Sequence, residues 1–175
     1  MKKILALVLT LLMLVPIAAF AEDFTTYTDP DFGFSISFPA DWTTSSGDDG
    51  MFIAVAPDYS LNFNVITIEI GEPLSSATIA GELVDLNETF AEQFEGYVAE
   101  IDGDIVTVAD LEFVAFGGSY AYEGQNMQLL QLYTAPFGTL HILTLTGNTS
   151  VEGFDSDAID ALVIEIITSF VPAGA

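Results

Sequence analysis

The sequence predicts an α+β fold, a largely antiparallel β-sheet of about six to eight strands covered by two main helices. Three observations lead there. Short runs from Phe34 to Ile70 and from Phe113 to Thr146 are rich in aromatic and β-branched residues, often alternating with polar ones. Two stretches instead recur at three- to four-residue steps, Ile79 to Tyr97 and Ile159 to Phe170. Most connections between the strand runs are too short for parallel crossovers, so the strands should pair antiparallel.

Taken in order, Phe24 to Pro39 opens the fold. Asp29-Pro30-Asp31 and Gly33 form turns, Phe34, Ile36 and Phe38 alternate with Ser35 and Ser37 as a half-buried strand, and Pro39 ends it ahead of Trp42. Met51 to Ala56 and Leu61 to Ile70 read as a hairpin around Pro57-Asp58. The spacing of Ile79, Leu83, Leu86, Phe90, Phe94 and Tyr97 predicts one amphipathic helix of about four turns or more, capped by Ser75, Ser76 or Thr78 and ended by Gly96. Val98 to Ile101 and Ile105 to Val108 flank Asp102-Gly103, a dipeptide suited to a tight hairpin. Phe113 to Tyr122 and Met127 to Ala135 are joined through Glu123-Gly124-Gln125-Asn126, and Ala135-Pro136-Phe137-Gly138 turns the chain into Leu140 to Thr146. A final helix carries Ile159, Leu162, Val163, Ile166, Ile167 and Phe170 behind a cap at Asp155 or Ser156.

The chain has 175 residues, 26 acids against two lysines, one histidine, no cysteine and a formal charge of -24. Nucleic-acid binding is excluded, because it needs Lys and Arg to displace phosphate counterions. Without cysteine there is no disulfide, thiol nucleophile or thiolate metal site, and a single histidine cannot build a multi-histidine zinc site. Residues 1–21, with Lys2 and Lys3, an apolar run from Ile4 to Val15 and the small-x-small triplet Ala19-Phe20-Ala21, read as a secretory signal peptide cleaved before Glu22. Residues 22–175 then form one domain with no membrane span and no cysteine for lipidation. The expectation is a soluble exported protein, extracellular or periplasmic. Cleavage removes both lysines and leaves all 26 acids.

Tyr27, Gly33-Phe34-Ser35-Ile36-Ser37-Phe38-Pro39 and Trp42 resemble the opening of PsbP-like and DcrB-like exported domains, as do Gly117-Gly118-Ser119-Tyr120-Ala121 and the closing Ile167-Thr168-Ser169-Phe170. The resemblance covers nearly all of residues 22–175. It implies an α/β/α sandwich and an extracytoplasmic binding or accessory role without a catalytic site. The photosynthetic members of that group are extrinsic subunits of photosystem II that dock through basic residues, and many bacterial ones are lipoproteins. After cleavage this chain has neither the basic residues nor the cysteine, so the photosystem role is not implied.

The residues themselves admit several chemistries. His141 shares strand parity with Leu143 and Leu145, but no Gly-x-Ser-x-Gly elbow accompanies it, and the expectation is a partly packed histidine near a strand end. A carboxylate-based hydrolase acting on neutral substrates such as glycans is the alternative function, and it requires a pocket with two carboxylates, one desolvated. A calcium-stabilised structural protein is the third reading. Asp102 and Asp104, Asp155 and Asp157, and Asp29 and Asp31 place acids on turns, none with EF-hand spacing, so at most weak Ca²⁺ binding is expected and no other cofactor. A protein or small-ligand partner should be basic or cation-bridged wherever it is charged. Mutual repulsion of the acids should raise their pKa values in the folded state, so stability should increase from pH 7 toward about pH 5 and with added salt.

Overall fold

A computed structural model describes residues 23–47 and 50–174. The signal-peptide expectation for residues 1–21 lies outside the described residues. The main sheet has seven antiparallel strands in the order β3-β4-β5-β9-β8-β7-β6: β3 Thr43–Ser46, β4 Met51–Val55, β5 Leu61–Glu69, β6 Val98–Val108, β7 Leu111–Tyr122, β8 Gln125–Thr134 and β9 Thr139–Asn148. A separate antiparallel ribbon pairs β1 Phe24–Thr28 with β2 Ser35–Pro39. Three helices complete the order: α1 Ser76–Glu82, α2 Leu86–Gln93 and α3 Ser156–Thr168. This is the expected α+β architecture.

Strand alternation sends one set of side chains to each face. Phe52, Ala54, Phe63, Val65, Phe113, Ala115, Leu132, Leu143 and Leu145 are buried on the first face, beneath Phe34 just before β2, Ile36 and Phe38 of β2, and Val163, Ile166, Ile167 and Phe170 at α3. Trp42 joins this core, its ring 6.0 Å from Phe63, and Tyr27 stacks on Phe52 at 4.0 Å. Burial of each such large side chain contributes roughly 1.5–3 kcal/mol. The ribbon and α3 are also clasped by polar bonds. The Ser169 hydroxyl accepts from the Ser37 N–H at 2.8 Å and donates to the Ile166 carbonyl at 2.6 Å, while Ser35 and Val171 form a β-bridge.

On the second face, Ile79 of α1 and Phe90 of α2 pack on Val114, Phe116, Leu129, Tyr133 and Ala135. The long helix expected over Ile79 to Tyr97 is broken at Leu83 to Asp85, with Phe94 and Tyr97 beyond its end. Gly81, Val84 and Asp85 are weak helix formers in close succession, and the break lets Ile79 and Phe90 both reach the sheet. Ser75 and Asp155 are the N-caps of α1 and α3, accepting from Thr78 N–H and from the N–H groups of Asp157 and Ala158.

Asp102-Gly103 does not turn the chain. It lies inside β6, where register shifts at Glu100 and Gly103 form bulges against β7. Gly103 takes φ +73 within the bulge, so the left-handed geometry that suits a hairpin serves an irregular strand instead. The turn falls at Ala109-Asp110, with φ 49 and 66, and the next at Glu123-Gly124, shorter than the four-residue join expected. β3 and β1 were not expected as separate strands. The sequence of β3 is Thr-Thr-Ser-Ser and all four residues are exposed, so no apolar alternation marks it.

Candidate functional site

The sequence-predicted residues are dispersed. Asp102 and Asp104 flank the second bulge of β6, and Asp102 Oδ1 accepts from Asn87 Nδ2 at 2.8 Å. Asp155 caps α3 while Asp157 lies in its first turn, where acids meet the positive end of the helix dipole. Asp29 is buried. Its carboxylate accepts from Tyr27 Oη at 3.0 Å and from the N–H groups of Asp31 and Phe32 at 3.0 and 2.7 Å, which locks the β1–β2 turn. Among the described residues no three or more His, Asp or Glu side chains converge in a way that would hold a metal ion.

His141 is 0% exposed, more deeply buried than its place in the strand suggested. Thr67, its partner on β5, places Oγ1 3.3 Å from Nδ1, while Nε2 has no hydrogen-bond partner. The rings of Phe170 and Phe34 stand edge-on at 5.3 and 6.0 Å. Desolvation in these surroundings lowers its pKa to about 4, so the imidazole is neutral at pH 7. With a threonine hydroxyl as its one polar neighbour, this ring has neither the serine nor the carboxylate that a hydrolytic triad uses.

Two other features emerge from the fold. The first is a groove between the start of α3 and the sheet. Leu61, Ile101, Leu130, Leu145, Ile159 and Val163 form its apolar walls, with Gln128, Gly147 and Asp160 completing it. It is a shallow, half-open feature that shelters about 40 Å³. Asp160 is the one carboxylate lining it, and burial raises its pKa, with nearby Asp157 adding to the rise.

The second is an apolar end to the sheet. Ile70 and Gly71 both donate backbone N–H to the Gly138 carbonyl, at 3.0 and 2.9 Å, and Leu74 donates to Ala135 at 3.0 Å, so the β5–α1 connection runs along the β8–β9 turn. Here Ile68, Ile70, Leu74 and Phe137 are 45%, 36%, 38% and 51% exposed. Gly138, at φ +82, is forced to be glycine, because a Cβ would stand 3.0 Å from the Gly71 carbonyl oxygen. Ile68 also belongs to the second face of β3, β4 and β5. There strand register brings together Thr43, Ser45, Met51, Ile53, Val55, Asn62, Asn64, Ile66 and Ile68, with no acid among them. Neither feature was legible in the sequence, since both depend on which strands become neighbours.

Gly118 explains part of the Gly117-to-Ala121 motif. A Cβ there would stand 2.3 Å from the Val98 carbonyl oxygen and 2.8 Å from the Tyr97 ring. Tyr97 Oη donates to Asn87 Oδ1 at 2.7 Å, and Asn87 Nδ2 reaches the Ile101 carbonyl at 3.1 Å, tying α2 to β6. Burial, followed by the charges of Asp102 and Glu100, pushes the Tyr97 pKa up to about 12.

No family model and no curated protein matches the sequence. Solved structures do resemble it. The chain is similar to cyanobacterial PsbP (CyanoP) from Synechocystis sp. PCC 6803, with a TM-score of 0.61 at 13% identity over 91% of this chain and 98% of that one. It is also similar to PA94 of Pseudomonas aeruginosa, a protein of unknown function described as a putative regulator, with a TM-score of 0.55 at 17% identity over 87% and 99% of the two chains. A protein from Bacteroides thetaiotaomicron gives 0.52 at 14% identity over 79% of this chain, which spans only 44% of that longer one. Likeness at such identity speaks for architecture alone, and on that ground the chain has a PsbP-like fold.

Proposed function

We propose that this chain is an exported, non-catalytic binding or accessory domain that docks through the apolar end of its sheet. The partner surface is apolar at its centre and basic or cation-bridged at its rim. The observation that carries the reading is the grouping of Ile68, Ile70, Leu74 and Phe137 on a molecule of charge -24. Contiguous exposed apolar surface marks interaction sites on soluble proteins, and acids depleted from one sheet face leave that face free to desolvate. Exposed Glu69 and Glu72 border the patch, and residues 4–175 include no Lys or Arg, so the complementary cations must come from the partner or from solution.

The hydrolase alternative asks for two carboxylates in one pocket. The groove beneath α3 offers Asp160 alone, which favours the binding role. No described helix is long and apolar enough to cross a membrane, in keeping with docking from the aqueous side.

A photo-reactive side chain at position 137, compared with one at Val84, which is 69% exposed on the α1–α2 connection, tests this reading in the exported fraction of the source cells. A discrete adduct should form from position 137, weaken with salt and disappear when Ile70→Ser is added. Equal labelling from both positions would sink the reading.

A further inference from the structure

The groove beneath α3 has a floor that the fold does not explain. Two adjacent rows of the sheet face α3 there, Leu61, Gly147 and Gln128 in one and Leu145, Leu130, Gly117 and Ile101 in the other. Gly147 lies inside β9 with its φ outside the left-handed region. A Cβ on it would meet only the Ser60 carbonyl oxygen at 3.9 Å and Gln128 Cβ at 4.0 Å, ordinary contacts. Gly118 is the contrast, because backbone and the Tyr97 ring exclude any side chain there. A glycine inside a strand weakens it and often marks a place where a ligand approaches the backbone closely. Gly147 carries that cost with no neighbour requiring it, at the bottom of an apolar groove.

The remaining lining defines what fits. The walls are aliphatic, and the polar side chains are the Gln128 amide and the Asp160 carboxylate. A carboxylate partly withdrawn from water is stabilised by a cation, and no lysine or arginine of residues 4–175 can supply one. We propose that this groove binds a small alkylammonium ligand, its aliphatic chain lying on Gly147 between α3 and the sheet and its ammonium group meeting Asp160 and Gln128. The sheltered space, about 40 Å³, is room for roughly three waters, so a flexible aliphatic chain lies along the groove with part of its length in the open mouth. The site is distinct from the apolar end of the sheet and does not rest on the docking role.

The test is an NMR titration of the purified protein, at physiological salt, with n-hexylammonium, n-hexanol, n-hexanoate and tetramethylammonium. Hexylammonium should shift the Gly147 and Asp160 amides saturably and bind at least fivefold more tightly than hexanol. Hexanoate should leave these amides unmoved, as should tetramethylammonium, which reports diffuse attraction to the acidic surface. Asp160→Asn should reduce hexylammonium to the affinity of hexanol. Gly147→Val should raise the melting temperature by about 2 °C, since a β-branched residue replaces glycine in a strand, while weakening hexylammonium at least tenfold. If valine cannot be accommodated, Gly147→Ala gives the same reading, with unchanged or higher stability and weaker binding. Phe137→Ser should change none of these values. Retained binding in both Gly147 variants, or equal shifts from tetramethylammonium, overturns the proposal.

Discussion

The two faces of the sheet are covered by different means. Under α3 and the β1–β2 ribbon the contacts are continuous: Phe34, Phe113 and Phe170 form one group of rings, Phe38, Phe52 and Phe63 another, and Tyr27 joins the two. Under α1 and α2 the layer is smaller, built on Ile79 and Phe90, and reaches only the β6 to β9 side. The difference separates two tasks. The aromatic face makes the chain fold, while the helical face holds the bulged strand β6 in place and leaves the β3-to-β5 half free of acids and open for contact.

The largest effect should come from Phe63→Ala in the aromatic face. Its ring touches Phe38, Trp42 and Phe52, and the site has little room to collapse, so urea unfolding should show a loss of about 4 kcal/mol. Phe90→Ala, in the thinner layer, should cost about half of that. Equal losses would break the comparison. Gly118→Ala comes next, at about 2–3 kcal/mol, because its Cβ cannot occupy the space held by the Val98 carbonyl and the Tyr97 ring. Hydrogen exchange should then speed up in β6 while β5 stays protected; uniform acceleration would show that the helical face is not a separate unit.

His141 should produce the third effect, and it is confined to the aromatic face. Its folded pKa is about 4 against an ordinary 6.5, so between those values the unfolded chain binds more protons. Stability from this group is complete above pH 6.5 and is lost as the pH falls toward 4, amounting to about 2 kcal/mol between pH 7 and pH 5. Asp160, whose pKa burial raises, acts in the opposite direction, gaining stability as the pH falls. Wild-type protein should therefore show little net gain on acidification, whereas His141→Leu should become more stable from pH 7 to pH 5. Parallel pH curves for the two proteins would refute the assignment. The smallest effect should be ionic. Raising NaCl should stabilise the fold by about 1 kcal/mol or less, and Ca²⁺ at equal ionic strength should add little that EGTA can remove. A large EGTA-reversible rise in melting temperature would instead reveal a specific calcium site.

The main architecture was legible because it is written in periodicity. Alternation marked β2 and β5, a run of apolar and aromatic residues marked β7, the helical stripe marked α3, and Ser75 and Asp155 were among the caps expected. What was not legible depended on choices that the same dipeptide leaves open. Asp102-Gly103 suits a hairpin or a bulge, and pairing with β7 selects the bulge. Ala109-Asp110 carries the actual turn although alanine seldom takes positive φ, so nothing local announced it. The burial of His141 follows from Phe34 and Phe170 arriving from distant parts of the chain. Gly147 and Asp160 meet only once α3 lies across β8 and β9, beyond any local signal.

The two bulges of β6 have a meaning beyond local geometry. A seven-stranded sheet has two borders, and each is a template on which another extended chain can add by backbone hydrogen bonding. Proteins commonly blunt such borders with lysine, a device denied to a chain without Lys or Arg past position 3. Here one border is a strand of four residues, and the other is interrupted twice, at Glu100 and Gly103, with carboxylates spaced along it. Resistance to strand-by-strand polymerisation is thus built from shortness, irregular backbone and negative charge, which makes the shape of β6 a safeguard for a fold whose interior is otherwise rich in aggregation-prone sequence.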